Sequence, residues 1–307
     1  MIHTQYFVLH FTLRFVFALL VVLHDKLHRL GATLMHLRFR RMTSSFRTFI
    51  LTTLFLTLLP VQSFAKTRDT GFLDRTSRVQ GALYKYQVFV PDNWTPSKKW
   101  PVILFLHGAG ERGGDGLLQT DVGIATAIRK DRSRFPAVVV IPQCRKEKWW
   151  SESPMDDVAM QSLAEALKEF HGDSQRIYLT GLSMGGYATW YLAAKYPIKF
   201  AALVPICGGV LPPEKARAQS ADDKSPYTQA AVKIGSSTPV WIFHGAADEA
   251  VPVTESQRMY EAMKALGSEV HYTEYPGVGH NSWDKAYAEP ELINWMLSKT
   301  LTAKSAR

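Results

Sequence analysis

Three short segments place reactive side chain types beside glycines that leave room for them. Gly181-Leu182-Ser183-Met184-Gly185-Gly186 has G-x-S-x-G spacing, the pattern of a sharp turn that lifts a serine hydroxyl out of the backbone. It follows the β-rich run Ile177–Thr180 and opens the helical run Tyr187–Tyr196. That is the strand-to-helix junction such a turn needs. A bulky residue at 181 or 185 would collide with neighbouring backbone, and the free N–H groups of a helix start favour negative charge developing there. A serine in this position can also act as a plain helix cap. The preceding strand and the flanking glycines favour Ser183 as a nucleophile.

A serine hydroxyl is a weak nucleophile at neutral pH and needs a general base. Five histidines lie beyond residue 65: His107, His171, His244, His271 and His280. His171 falls at a helix end and His271 inside a strand, while His107 and His244 each precede a glycine at the end of a strand. His280 sits in Pro276-Gly277-Val278-Gly279-His280-Asn281, where a glycine-rich loop can present an imidazole across a site. The base in turn needs a carboxylate to hold its tautomer. Asp248, in the turn after Val240–Phe243, is the candidate; Glu249 is its neighbouring rival, and Asp222 and Asp223 are distant ones. The chain order Ser183, Asp248, His280 matches one known arrangement of such triads.

His107-Gly108-Ala109-Gly110-Glu111-Arg112-Gly113-Gly114 follows the strand Val102–Leu106. It satisfies G-x-G-x-x-G, but a dinucleotide site needs a helix to open inside that motif, and here Glu-Arg-Gly-Gly-Asp-Gly continues as loop. The better role is a loop that supplies one oxyanion N–H from Ala109, with the second from Met184. Trp149, Trp150 and Trp283 lie just beyond strand ends, placed either to stack on a sugar or aromatic acyl group or to pack under loops. No metal-ligand spacing and no P-loop occurs, so neither a metal nor another cofactor is expected.

The elements that must position these residues alternate. Thr76–Val79 and Tyr84–Val90 read as an antiparallel opening pair. Continuous apolar strands follow at Val102–Leu106, Ala137–Ile141, Ile177–Thr180, Ala201–Ile206 and Val240–Phe243, with Val270–Tyr275 at the far edge. Helical patterns fall between them, near 121–131, 157–170, 184–195, 254–266 and 290–299. This implies an α/β fold, a mostly parallel central sheet with helices on both faces. Chemistry in such sheets sits at the carboxyl ends of the strands. Gly208 to Thr238 is an irregular excursion, either passing over the site or forming a solvated loop with a short helix.

With 307 residues, 46% of them apolar, the chain can bury a full-sized core. Its formal charge of +9 raises nucleic acid as a partner, but residues 1–65 hold seven basic residues and one acidic one. The remaining 29 basic and 26 acidic residues argue against a phosphate-binding groove. From Met42 the sequence has an export pattern: Arg47, an apolar run from Phe49 to Val61, and Ser63-Phe64-Ala65 before a cut. Residues 1–65 are therefore read as an N-terminal extension and signal peptide, and 66–307 as the catalytic domain of a secreted or periplasmic protein, with no stable membrane association after cleavage. Tyr6 to Leu23 is a second apolar stretch. Residues 1–41 are either upstream of the true start at Met42 or a real membrane segment. The two cysteines, Cys144 and Cys207, could pair in an oxidising compartment, but each follows a different strand, and two further strands between those would hold them too far apart to bond.

The segments LFLHGAGERGGDG, IPQCRKEKWW, YLTGLSMGGYATW, PICGG, VWIFHGAADEAVPV and YPGVGHNSWDKAY together resemble the esterase and predicted-peptidase branch of the α/β-hydrolases. That branch is close to phospholipase/carboxylesterase-like, dienelactone-hydrolase-like and polyhydroxybutyrate-depolymerase-like groups. The resemblance implies carboxylic-ester hydrolysis with Ser183, Asp248 and His280 in the usual roles. Dienelactone hydrolases proper carry a cysteine nucleophile where this chain has Ser183, and the stretch 212–232 is longer than the branch leads one to expect. The expected substrate is a small-molecule or polysaccharide-linked ester, feruloyl or acetyl. A secreted peptidase, a polyester depolymerase and a non-catalytic binding module are the alternatives.

Overall fold

The computed structural model describes residues 69–211 and 223–301. The export segment, the second apolar stretch and the middle of the excursion lie outside the described residues. Eight strands form one sheet in the order β1-β2-β4-β3-β5-β6-β7-β8: β1 Gly71–Val79, β2 Ala82–Val90, β3 Trp100–Leu106, β4 Val138–Pro142, β5 Gly172–Leu182, β6 Ala202–Ile206, β7 Val240–Gly245 and β8 Val270–Tyr275. β1 and β2 run antiparallel, as does the β2–β4 contact, and every pairing from β4 to β8 is parallel. Parallel neighbours cannot be joined by a tight turn and need crossovers. These run through α1 Ile124–Lys130, α2 Met155–Glu169, α3 Met184–Lys195, α4 Ser225–Ile234 and α5 Thr254–Ala265, with α6 Trp283–Ala288 and α7 Leu292–Leu297 after β8.

Because side chains alternate across a strand, β3 feeds two cores. Val102, Leu104 and Leu106 pack on the face covered by α2, α3, α4 and α5, and Ile103 and Phe105 on the face covered by α1, α6 and α7. All five are fully buried. This explains why the central strands read as unbroken apolar runs rather than alternating ones.

Several elements differ from the sequence reading. The opening pair is longer at both strands, since Gly71 to Arg75 also pair with β2 in register, with Phe72 and Leu73 packed on opposite cores. The helix expected over 121–131 starts only at Ile124, because Gly123 turns the chain at φ +62°. α6 was not foreseen; six residues are too short to show a helical period. The excursion contains α4, which contributes Tyr227, Ala231 and Ile234 to the same core as α3. β3 and β5 stand between the two cysteine-bearing strands, and both thiols are free and buried.

A buried contact ties α6 to the sheet. Thr180 donates its hydroxyl proton to Val204 O at 2.8 Å, so the 2.8 Å contact with Tyr287 has the phenol as donor. Tyr287→Phe removes that donor without changing shape. It is expected to cost about 1 kcal/mol, seen as a fall of about 2–4 °C in Tm; an unchanged Tm would show the bond adds nothing net.

Candidate active site

The carboxyl ends of six strands converge, and each candidate side chain enters from one of them. Ser183 directly follows β5 with φ +51° and ψ −118°, a conformation that L residues rarely adopt. Packing enforces it. A Cβ on Gly181 would strike the Gly185 carbonyl, and one on Gly185 the Leu106 carbonyl, so β5, α3 and β3 approach as closely as glycine alone permits. The Ser183 hydroxyl makes no capping bond to α3. It faces His280 instead, with Nε2 at 2.9 Å from Oγ.

His280 Nδ1 lies 2.7 Å from Asp248 Oδ2. The imidazole therefore bridges a hydroxyl and a carboxylate, and since the carboxylate only accepts, Nδ1 carries the proton and Nε2 is free to take one. The turn holding Asp248 and the loop holding His280 are joined by Ala247 N–H to Val278 O at 2.9 Å. Asp248 has no exposed side-chain surface. Burial pushes its carboxyl up, but hydrogen bonds from His244, His280 and the Val251 N–H outweigh this and hold it well below the usual carboxylate range. Glu249 is not among these bonds; its side chain is not brought to His280 by any of them.

The β3 loop forms the opposite wall. A Cβ on Gly108 would stand 3.6 Å from Ser183 Cβ. His107, wholly buried, accepts the Cys144 N–H at Nε2 (2.9 Å) and donates Nδ1–H to Gly108 O (2.6 Å). Fixing that carbonyl fixes the peptide plane, and the Ala109 N–H on its other side must point away from His107. Met184 N–H belongs to the first turn of α3, where amides have no intrahelical acceptor. The G-x-G-x-x-G segment contains only the short 3-10 turn Ala109–Glu111, with no helix to carry a dinucleotide.

The three tryptophans have different surroundings. Trp150 is buried, donates Nε1–H to His107 O at 3.1 Å and packs edge-on against the His107 ring at 5.0 Å. Trp283 stands edge-on to His280 at 5.5 Å. Trp149 is 36% exposed and meets Tyr187 edge-on at 6.1 Å. Trp149, Trp150, Met184, Tyr187, Tyr191 and Val210 line a cavity of about 490 Å³ beside the serine turn. The Tyr187 hydroxyl is buried with no hydrogen-bond partner among the described residues, and burial raises its pKa. His107, His244 and Tyr187 went unassigned in the sequence. Their only signal there was the repeated His-Gly at two strand ends.

Cys207 Sγ, Asp248 and His280 offer ligand atoms within 4.8 Å of one another. The carboxylate and imidazole are already bonded to each other, and burial pushes the Cys207 thiol up to about 12. A thiol kept protonated is a poor metal ligand, so these residues do not fit a metal.

A sequence profile of the phospholipase/carboxylesterase family matches residues 157–289. The fold superposes on the crystal structure of a thermostable esterase with TM-score 0.64 and 32% identity, over 75% of this chain and 63% of that one. The chain has the α/β-hydrolase fold. It is 30% identical, over 134 residues, to a bifunctional acetylxylan esterase/xylanase of Neocallimastix patriciarum, covering 43% of this chain and 19% of that protein. The feruloyl esterase module from Clostridium thermocellum complexed with sinapinate shares the fold at TM-score 0.60 and 17% identity, over 77% of this chain and 91% of that one. The hydrolase spans 26%, 19% and 41% of the length of three curated relatives that it matches.

Burial depresses the His107 pKa of this α/β-hydrolase from 6.5 to about 4, the Gly108 hydrogen bond opposing only in part. Between those values the unfolded chain binds a proton that the folded chain refuses. The contribution of His107 to stability therefore declines as pH falls from about 6.5 toward 4 and is level above that window. Tm measured against pH is expected to slope less across it in His107→Asn, which cannot titrate. Parallel curves would assign the slope elsewhere.

Proposed function

We propose that this hydrolase cleaves carboxylic esters through an acyl-enzyme on Ser183. The observation that carries the reading is the His280 ring, within hydrogen-bond distance of both Ser183 Oγ and Asp248 Oδ2. His280 Nε2 takes the hydroxyl proton as Oγ attacks the ester carbonyl, and Asp248 stabilises the imidazolium. The N–H groups of Ala109 and Met184 receive the oxyanion. The proton passes from Nε2 to the departing alcohol, and water repeats the sequence to release the acid.

For substrate we propose esters of a phenolic acid linked to polysaccharide, feruloyl in preference to acetyl. The aromatic cavity beside Met184 supports this, with Trp149 and Tyr187 offering ring faces and the Tyr187 hydroxyl an unused donor. The names of the acetylxylan and feruloyl esterases above agree with a polysaccharide-linked ester, and the preference for feruloyl rests on the cavity. We also propose export from Met42 with cleavage after Ala65. Among the described residues no helix is long and apolar enough to cross a membrane.

Ser183→Ala is expected to lower ester hydrolysis by at least about 1000-fold with the fold intact, and an organophosphate to label Ser183 alone. Asp248→Asn should cost far more than Glu249→Gln. Residual activity above a few per cent in Ser183→Ala, or faster cleavage of peptide than of ester substrates, would overturn the reading. Tyr187→Phe and Trp149→Ala are expected to lower kcat/KM for feruloyl esters by about tenfold, roughly 1.4 kcal/mol, while acetyl esters change less than about twofold. Equal losses on both substrates would reject the cavity as the phenolic subsite.

A further inference from the structure

We infer that His244 is a positioning residue for the proposed reaction, a second histidine that holds Asp248 Oδ2 in place for His280. The inference rests on the assignment of Ser183, Asp248 and His280 made above. His244 is on β7 and wholly buried. Its Nε2 lies 3.1 Å from Asp248 Oδ2 and 3.1 Å from Val251 O. Both oxygens only accept, so Nε2 carries a proton shared between them. Its Nδ1 lies 2.7 Å from the Ser256 hydroxyl on α5. The ring is thus held at both nitrogens, between the strand that delivers Asp248 and the helix behind it.

The carboxylate is fully committed. Oδ1 accepts the Ala250 and Val251 N–H groups, each at 2.9 Å, and Oδ2 is divided between His244 at 3.1 Å and His280 at 2.7 Å. Two nearby carboxylates have hydrogen-bond partners of their own, although Glu274 also feels the charge of His244 at a distance. Glu255 on α5 takes the Tyr227 hydroxyl and the N–H groups of Val210 and Leu211, and Glu274 on β8 takes Tyr272 and Gln257. Among the described residues Asp248 is the carboxylate to which His244 is bonded.

Two consequences follow from one shared oxygen. His244 fixes the carboxylate plane so that Oδ2 meets His280 Nδ1–H in line. It also draws charge from Oδ2, and so limits how strongly Asp248 stabilises the His280 imidazolium. Without it the carboxylate can turn, so that Oδ2 no longer meets Nδ1–H in line, which slows the chemical step.

Replacing His244 with Leu is expected to lower kcat about tenfold or more, the usual scale for a hydrogen bond to a charged group, with KM within about twofold. His244→Gln keeps an N–H within reach of Oδ2 and should recover most of kcat. Parental kcat in His244→Leu would overturn the inference. So would equal losses of kcat in both variants, since the ring would then merely fill space. If the leucine variant does not fold, nitrogen-15 NMR of the unmutated enzyme decides: the His244 Nε2–H signal should shift on Asp248→Asn, and an unmoved signal overturns the proposal. Inactive Ser183→Ala with unimpaired His244→Leu removes this inference alone, whereas active Ser183→Ala removes the catalytic assignment beneath it.

Discussion

A carboxylate with no exposed surface has to be neutralised by donors where it stands, because water cannot reach it and burial alone favours the uncharged acid. Asp248 meets that constraint with four hydrogen bonds, two from backbone amides of its own turn and two from imidazoles. Each donor belongs to a different commitment of the fold. The amides require the tight turn after β7, His244 requires α5 to pack behind that strand, and His280 requires the loop after β8 to reach back across two strand ends. The same charge that the fold must satisfy sets the tautomer and aim of the imidazole facing Ser183.

The other side of the site is governed by steric exclusion instead of charge. Ser183 sits at positive φ because β5, α3 and the end of β3 approach to backbone contact, which only Gly181 and Gly185 allow. That strain is local and compensated by the sheet pairing on both sides of β5. The β3 loop is then held against the serine by His107, which ties Gly108 O to the start of the loop after β4, with Trp150 braced on the same residue. Two histidines at two strand ends perform equivalent structural work, one orienting a peptide plane and the other a carboxylate.

Much of the architecture is legible in the chain because buried parallel strands must be apolar on both faces. Val102–Leu106, Ile177–Thr180 and Val240–Phe243 announce themselves that way, and all lie within observed strands. Where a segment is brief the signal fades: Gly71 to Arg75 offer only Phe72 and Leu73 side by side, with no alternation, and register with β2 makes them a strand. Short elements are similarly mute. α6 has six residues, and its anchor is a phenol whose partner Thr180 lies more than 100 positions earlier.

The sequence by itself determined the α/β alternation, the strand-to-helix turn around Ser183, and a short set of acids and bases at the ends of strands. These follow from local rules: apolar periodicity, glycine at close approaches and loops where parallel strands end. The sequence also singled out Ser183, Asp248 and His280 as one set, while the tertiary structure supplied their hydrogen-bond distances and showed that His107 and His244 bond to the site's backbone and carboxylate. The tertiary structure also decided that Trp150 is braced on His107 while Trp149 stands at the cavity rim. The physical reason is range. Hydrogen-bond partners 32 and 97 residues apart are chosen by the order and register of strands in the sheet, and no local window of residues contains that order.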